Sequence, residues 1–256
     1  MLEIKNLWKS FGDQDVLRGV DLTVSQGEFV SFIGHSGCGK STLLNVVGGL
    51  LEHDGGEVTL DGTAVTEPGP DRAMVFQNYS LLPRLSLLAN VREAAKAGRP
   101  ERSAAAQDEV VERYLRAVGL WEHRHKRPAQ VSGGMQQRTA VARAFAVGPR
   151  LLLLDEPFGA LDALTRARLQ QQLMELWGDE SETETVLMVT HGIDEAILLA
   201  DRIVVMGNPP GPSVIDIIPV ELARPRNRAT MVDDPGFRRV QERLLALLTA
   251  EEQFAA

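Results

Sequence analysis

The chain has 256 residues, 44% of them hydrophobic, enough apolar material for one large domain or for one domain with a subdomain. Its net charge of −8 argues against nucleic acid as the main partner, because a duplex binder carries a basic field. The one cysteine, Cys38, excludes an internal disulfide and fits a reducing compartment. No window approaches the ~18 apolar residues of a spanning helix, and the start lacks an apolar leader core, so work at a membrane is expected to go through a partner.

In chain order, "LEIKNLWKSF" and "VDLTVSQG" alternate apolar and polar residues, as does the later "EVTLDG". This pattern predicts antiparallel β-structure with Gly and Asp turns. "EFVSFIG" reads as a buried strand that runs into the glycine loop "GHSGCGKST". "STLLNVVGGL" then reads as a helix stopped by Gly48-Gly49, and "AMVFQ" as an apolar strand ending at Gln77. From about Asn78 to Val147 the period becomes helical in "SLLANVREAAKAG", "RSAAAQDEVVERYLRAVGL" and "GMQQRTAVARAFAVG". The basic cluster "RHKR" at 124–127 reads as a solvated loop, and His123 and His125 as surface residues rather than metal ligands.

"RLLLLDEP", "TVLMVTHG" and "DRIVVMG" are apolar on both faces, as parallel strands in a covered sheet must be. "LTRARLQQQLMELWG" lies among them as a helix. A turn-rich "PPGPS" precedes the strand-like "VIDIIPVEL", and the tail "DPGFRRVQERLLALLTAEEQ" reads as a helix. Phe237, Val240, Leu244, Leu247 and Leu248 form one face of that helix, expected to pack on the protein's own body. The fold class is therefore α/β: a mostly parallel core sheet, an antiparallel β subdomain and a helical subdomain over about 78–147. The main domain is expected over 1–220, with a tail at 221–256.

Gly34 to Ser41, "GHSGCGKS", fits G-x-x-x-x-G-K-[ST] between a predicted strand and a predicted helix. Gly34, Gly37 and Gly39 let backbone N–H groups wrap phosphate oxygens. Lys40 supplies a charge to the β- and γ-phosphates, and Ser41 can ligate Mg²⁺. Asp155 ends a buried strand, where α/β sheets place ligand groups, and can hold the Mg²⁺ shell. Glu156 beside it can orient and deprotonate an attacking water. Gln77 can reach both Mg²⁺ and water, and His191, at another strand end, can contact the γ-phosphate. "VSGGMQQR" is a second anion-reading helix start: Ser132 can cap the helix, and Gly133 and Gly134 bare its first N–H groups.

The phosphate loop "GHSGCGKST", the Gln of "VFQNYSLLP", "VSGGMQQR", "LLLLDEPFGALD" and the His of "VTHGIDEA" occur in the order seen in ABC transporter ATPase subunits. The resemblance spans nearly the whole chain. It implies two ATPase chains facing head to tail, as a homodimer. The loop of one, His35, Ser36, Cys38 and Thr42 included, binds ATP with Mg²⁺. The signature Ser132, Gly133, Gly134 and Met135 of the other closes over the γ-phosphate, where a helix start carries about +0.5 of a charge. Asp162 resembles the residue linking the two sites. Phe11 matches the position that stacks on adenine, and Val16 lines the same face. The segment from Gln77 to about Asn90 matches the region that touches the transmembrane permease. The expected location is peripheral, on the cytoplasmic face of the inner (plasma) membrane, with a substrate-binding protein as an indirect partner.

The chain departs from the pattern at four places. Val131 replaces a leucine, Met135 the commoner glutamine, Gly192 an aspartate and Arg84 a tryptophan. Methionine in the signature resembles importers of the nitrate, sulfonate and taurine type, and "QNYSLLP", "HKRPAQVSGGM", "LLLLDEPFGALDALTR", "ARPRNR" and the tail most resemble those for nitrate, nitrite and cyanate. Taurine or aliphatic-sulfonate import remains the alternative. A non-transport relative that uses ATP to dimerise is a further reading, and "SGGMQQR" with "GALD" speaks against a phosphate-loop kinase.

Overall fold

The computed structural model describes residues 1–159, 161–178 and 183–255. Its elements run β1 (Leu2–Phe11), β2 (Gln14–Val24), β3 (Phe29–Ile33), α1 (Lys40–Val47), β4 (Gly55–Leu60), β5 (Thr63–Ala64), β6 (Arg72–Val75), α2 (Leu87–Gly98), α3 (Ala104–Ala117) and α4 (Gly133–Ala146). They continue with β7 (Leu151–Asp155), α5 (Ala163–Gly178), β8 (Thr185–Val189), α6 (Ile193–Leu199), β9 (Arg202–Met206), β10 (Val214–Pro219) and α7 (Pro235–Ala255). Two units result: Met1–Pro68 with Thr185–Ala256, and Gly69–Glu184.

In the first unit the alternating segments form an antiparallel sheet in the order β2-β1-β4-β5. Leu2 stands opposite both Val24 and Leu60, and Leu2, Ile4 and Leu7 are buried. The same unit holds the strand order β10-β9-β3-β8. β3 runs parallel to both β8 and β9, and β10 runs antiparallel to β9. Every residue of β3 and β8 is buried, as strands covered on both faces must be.

The helix expected after the glycine loop is α1, and it stops where glycine allows. The Gly48 N–H donates to Leu44 O at 2.9 Å. Gly49 has φ +70°, and a Cβ there would lie 2.4 Å from the Glu67 carbonyl. At the other end of the chain, Phe237 and Leu244 of α7 are buried, and Val240, Leu247 and Leu248 half-buried, so the apolar stripe packs on the protein itself.

Helix α6 was not expected from the sequence. Its C-terminal carbonyls are held by the "ARPRNR" segment. Arg226 donates to Ile197 O at 2.8 Å, Ala200 O at 2.6 Å and Val220 O at 3.1 Å. Arg224 donates to Leu199 O at 2.6 Å and pairs with Asp201 at 2.8 Å. Burial pushes the Arg226 guanidinium down to about 10, still charged at neutral pH.

The second unit carries the expected helices α2, α3 and α4. Ser86, Ser103 and Ser132 cap them, each accepting from the N–H three residues on: Ala89, Ala106 and Met135. Buried Asn90 accepts from Leu82 N at 2.8 Å and donates to Leu82, Leu85 and Ser86 carbonyls, fixing the turn before α2. β6 and β7 are parallel, with Arg72 level with Leu151 and Val75 with Leu154. In the basic cluster His125, Lys126 and Arg127 are exposed, while Arg124 lies 4.3 Å from the centroid of the Trp121 ring.

Candidate nucleotide site

Strand register decides which side chains meet. In the first unit Phe32 is level with Val189. Two residues beyond this pair stand Gly34 and His191, so the glycine loop and the exposed His191 leave the same carboxyl edge. Thr190 N–H donates to Phe32 O at 3.1 Å, extending the ladder by one bond. In the second unit Val75 is level with Leu154, and two residues beyond them stand Gln77 and Glu156. Their side chains meet: Gln77 Nε2 donates to Glu156 Oε2 at 3.0 Å. β6 and β8 are thus shorter than the sequence suggested. Gln77 and His191 lie in turns past the last paired residues rather than closing the strands.

Asp155 is the last residue of β7, as expected. Glu156 has φ +47°, the left-handed region that costs a non-glycine residue roughly 1–3 kcal/mol. The turn is held by buried Pro157 and Phe158 and by Gly159 N–H donating to Glu156 O at 3.2 Å.

The glycine loop wraps its lysine. Lys40 Nζ, buried, donates to Gly34 O and His35 O, both at 2.8 Å. Two of the loop glycines are sterically required. A Cβ on Gly34 would lie 2.4 Å from Met206 O, and one on Gly39 (φ +96°) would lie 2.9 Å from Leu17 Cδ2 and 3.0 Å from Val16 O. Gly39 also precedes α1 with no side-chain cap, leaving the helix's first N–H groups to a ligand. Ser36 and Gly37 are exposed, and Ser41 and Thr42, in the first turn of α1, are half-buried. Cys38 is buried, and burial pushes its thiol up against the opposing charge of Lys40, so it behaves as a small apolar filler. Phe11, at the end of β1, exposes its ring, with Lys9 Nζ 5.5 Å from the centroid; Val16 is half-buried beside Gly39.

The signature turn is at the surface. Ser132 and Gly133 are exposed, and Gly134 and Met135 half-buried. A Cβ on Gly134 would lie 3.0 Å from Thr165 Cγ2, a close approach to the start of α5. Exposed Asp162 caps α5, accepting from Leu164 N at 3.1 Å and Thr165 N at 3.0 Å, and the Thr165 hydroxyl first, with these N–H groups, holds its carboxyl below the usual range. Ala160 of "GALD" lies outside the described residues. Sequence reasoning missed Arg143 of α4, which donates to Ser80 O at 2.5 Å and Tyr79 O at 3.2 Å and so holds the segment after Gln77. An arginine on a helix gives no local sign of such a role.

A glycine loop that closes over a buried lysine, set between a parallel strand and a helix, defines a phosphate-loop α/β protein. A wrapped backbone of this kind fits a nucleotide's phosphates. Ser41 in the first unit, and Gln77 and Asp155 in the second, each carry a hard oxygen donor of the kind Mg²⁺ takes. Residues 17–159 match the family model described as ABC transporter. The nitrate import ATP-binding protein NrtD of Synechococcus elongatus is 50% identical over 93% of this chain and 86% of its own length. The bicarbonate transport ATP-binding protein CmpD of a Synechocystis species is 46% identical over 96% and 88%. Among solved structures, the dimeric ATP-binding cassette MJ0796 bound to ADP and Pi is 33% identical, with a TM-score of 0.75 over 87% of this chain and all of that one. The chain belongs to the ABC transporter family and hydrolyses ATP. Among the described residues no helix is long and apolar enough to cross a membrane.

Proposed function

We propose that this chain is the ATPase subunit of an importer for a small trigonal oxyanion, nitrate first. The relatives that support this are a nitrate import protein at 50% identity and bicarbonate transport proteins at 46–48%. Both anions are planar, monovalent and oxygen-rich. Bicarbonate is therefore the second reading, ahead of taurine or a sulfonate.

The observation that carries the catalytic assignment is the Gln77–Glu156 hydrogen bond at the carboxyl edge of two registered strands. Glu156 is the general base for the attacking water, Gln77 its orienting neighbour, and His191 a donor to the γ-phosphate. Lys40 and the loop from Gly34 to Thr42 hold the phosphates, and Phe11 with Val16 holds the adenine. Ser41, Gln77 and Asp155 would hold Mg²⁺, which when bound neutralises charge on the β- and γ-phosphates. The surface turn Ser132–Met135 and Asp162 serve a second, identical chain facing the first head to tail. Residues Gln77 to Asn90 meet the transmembrane permease, which places the chain on the cytoplasmic face of the inner membrane with a substrate-binding protein beyond it. The test is uptake in a strain lacking the gene, with labelled nitrate, bicarbonate and taurine each at limiting supply. Loss of nitrate uptake alone is expected. A defect confined to taurine or a sulfonate would move the substrate assignment and leave the ATPase chemistry standing.

A further inference from the structure

Helix α7 carries more polar contacts than a packing stripe needs. Its buried Phe237 and Leu244 account for its docking. Yet His35, in the phosphate loop, places Nε2 2.8 Å from the Leu248 carbonyl of this helix. A carbonyl only accepts, so Nε2 carries the proton in this bond. Seven residues earlier, Gln241 Nε2 donates to Asp194 Oδ1 at 2.9 Å. Asp194 is in the first turn of α6, three residues after His191. Positions 241 and 248 are two turns apart, about 10 Å, on one face of one helix. Arg243 pairs with Asp216 of β10 at 2.7 Å, and Glu251 accepts from Asn208 N at 3.1 Å, which fixes the helix on both flanks.

We propose that α7 is a two-point brace of the nucleotide site: it positions the phosphate loop through His35 and the His191 turn through Asp194. The proposal rests on the nucleotide-site reading above. His35 and Gln241 are positioning residues. They hold the loop and the turn at a set separation, so nucleotide bound in the loop stiffens the far end of the chain. By linkage, a loosened helix weakens the nucleotide by the same factor.

The test uses the full chain and ADP as the probe, with amide hydrogen exchange read at 244–251 and 193–196. ADP is expected to slow exchange at 244–251 in the parent and in His35→Gln, whose amide keeps an N–H at similar reach. It is expected not to do so in His35→Leu, which binds ADP about five- to tenfold more weakly. Gln241→Leu, outside the loop, is expected to speed exchange at 193–196 and to lower kcat with KM for ATP unchanged. It keeps the test open if His35→Leu fails to fold. If the parent does not bind ADP, the nucleotide-site reading itself is wrong. If the parent binds ADP with no change at 244–251, or if Gln241→Leu turns over as the parent does, the brace is overturned and the site reading stands.

Discussion

Glu156 is held in an unusual backbone state, and one of its carboxylate oxygens accepts from Gln77. Both features restrict the carboxylate, as the proposed general-base role requires. Glu156→Gln keeps the shape and cannot take a proton. Hydrolysis is expected to fall about 10²- to 10⁴-fold while ATP binding persists. With the reaction stalled, dimers are expected to accumulate in ATP, read by size-exclusion chromatography. Turnover near the parent's would remove Glu156 from the mechanism. Lys40 is a different kind of residue: its ammonium is buried among loop carbonyls, and in the proposed site its charge would act on the nucleotide's phosphates. Lys40→Ala is therefore expected to weaken ATP binding itself, measured by equilibrium titration, and equal affinity would contradict the loop assignment.

At the scale of elements, the arginine strap on α6 has a measurable consequence. Arg226 satisfies several carbonyls at the end of a seven-residue helix that follows His191. Arg226→Ala leaves them without that donor, and a charged hydrogen bond is worth roughly 1.5–3 kcal/mol. Thermal unfolding is expected several degrees lower, and an unchanged midpoint would show the strap to be idle. The same strap shows what was legible in the sequence and what was not. The strands, the glycine loop and the helices α2 to α5 were readable because period and glycine spacing are local signals. "ARPRNR" was read by resemblance as a mark of substrate class, and its physical work is to hold α6. Neither that role nor the contact of His35 with Leu248 has a local signature, because each joins residues far apart in the chain. Gln77 and Glu156 were named singly; their meeting needed the β6–β7 register.

At the scale of the whole molecule, the proposed head-to-tail pair would build each site from the phosphate loop of one copy and the signature turn of the other. Ser132→Arg removes a surface hydroxyl and adds bulk and charge where a second chain would sit. That variant and Lys40→Ala are each expected to be inactive as ATPases. Mixed, they form heterodimers with one site of intact halves and one site carrying both lesions, so part of the ATPase is expected to return. An isolated Ser132→Arg monomer is expected to bind ATP as the parent does. If it loses affinity, the signature acts within its own chain and the head-to-tail arrangement is wrong.

Helix α4 ties two of these features together mechanically. Gly133 at its start faces the Tyr79 hydroxyl across 3.4 Å from where a Cβ would be, and Arg143, about 16 Å along from Ser132, grips the Tyr79 and Ser80 carbonyls. Tyr79 and Ser80 have φ of +65° and +44°, conformations that relax if released. One helix thus carries the signature turn at its start and the grip on residues 79 and 80 near its end. In the proposed assembly, a shift of that turn would reach residues 79 and 80 along this helix without involving Glu156 or Lys40, so an Arg143 variant is expected to uncouple transport while ATP binding persists.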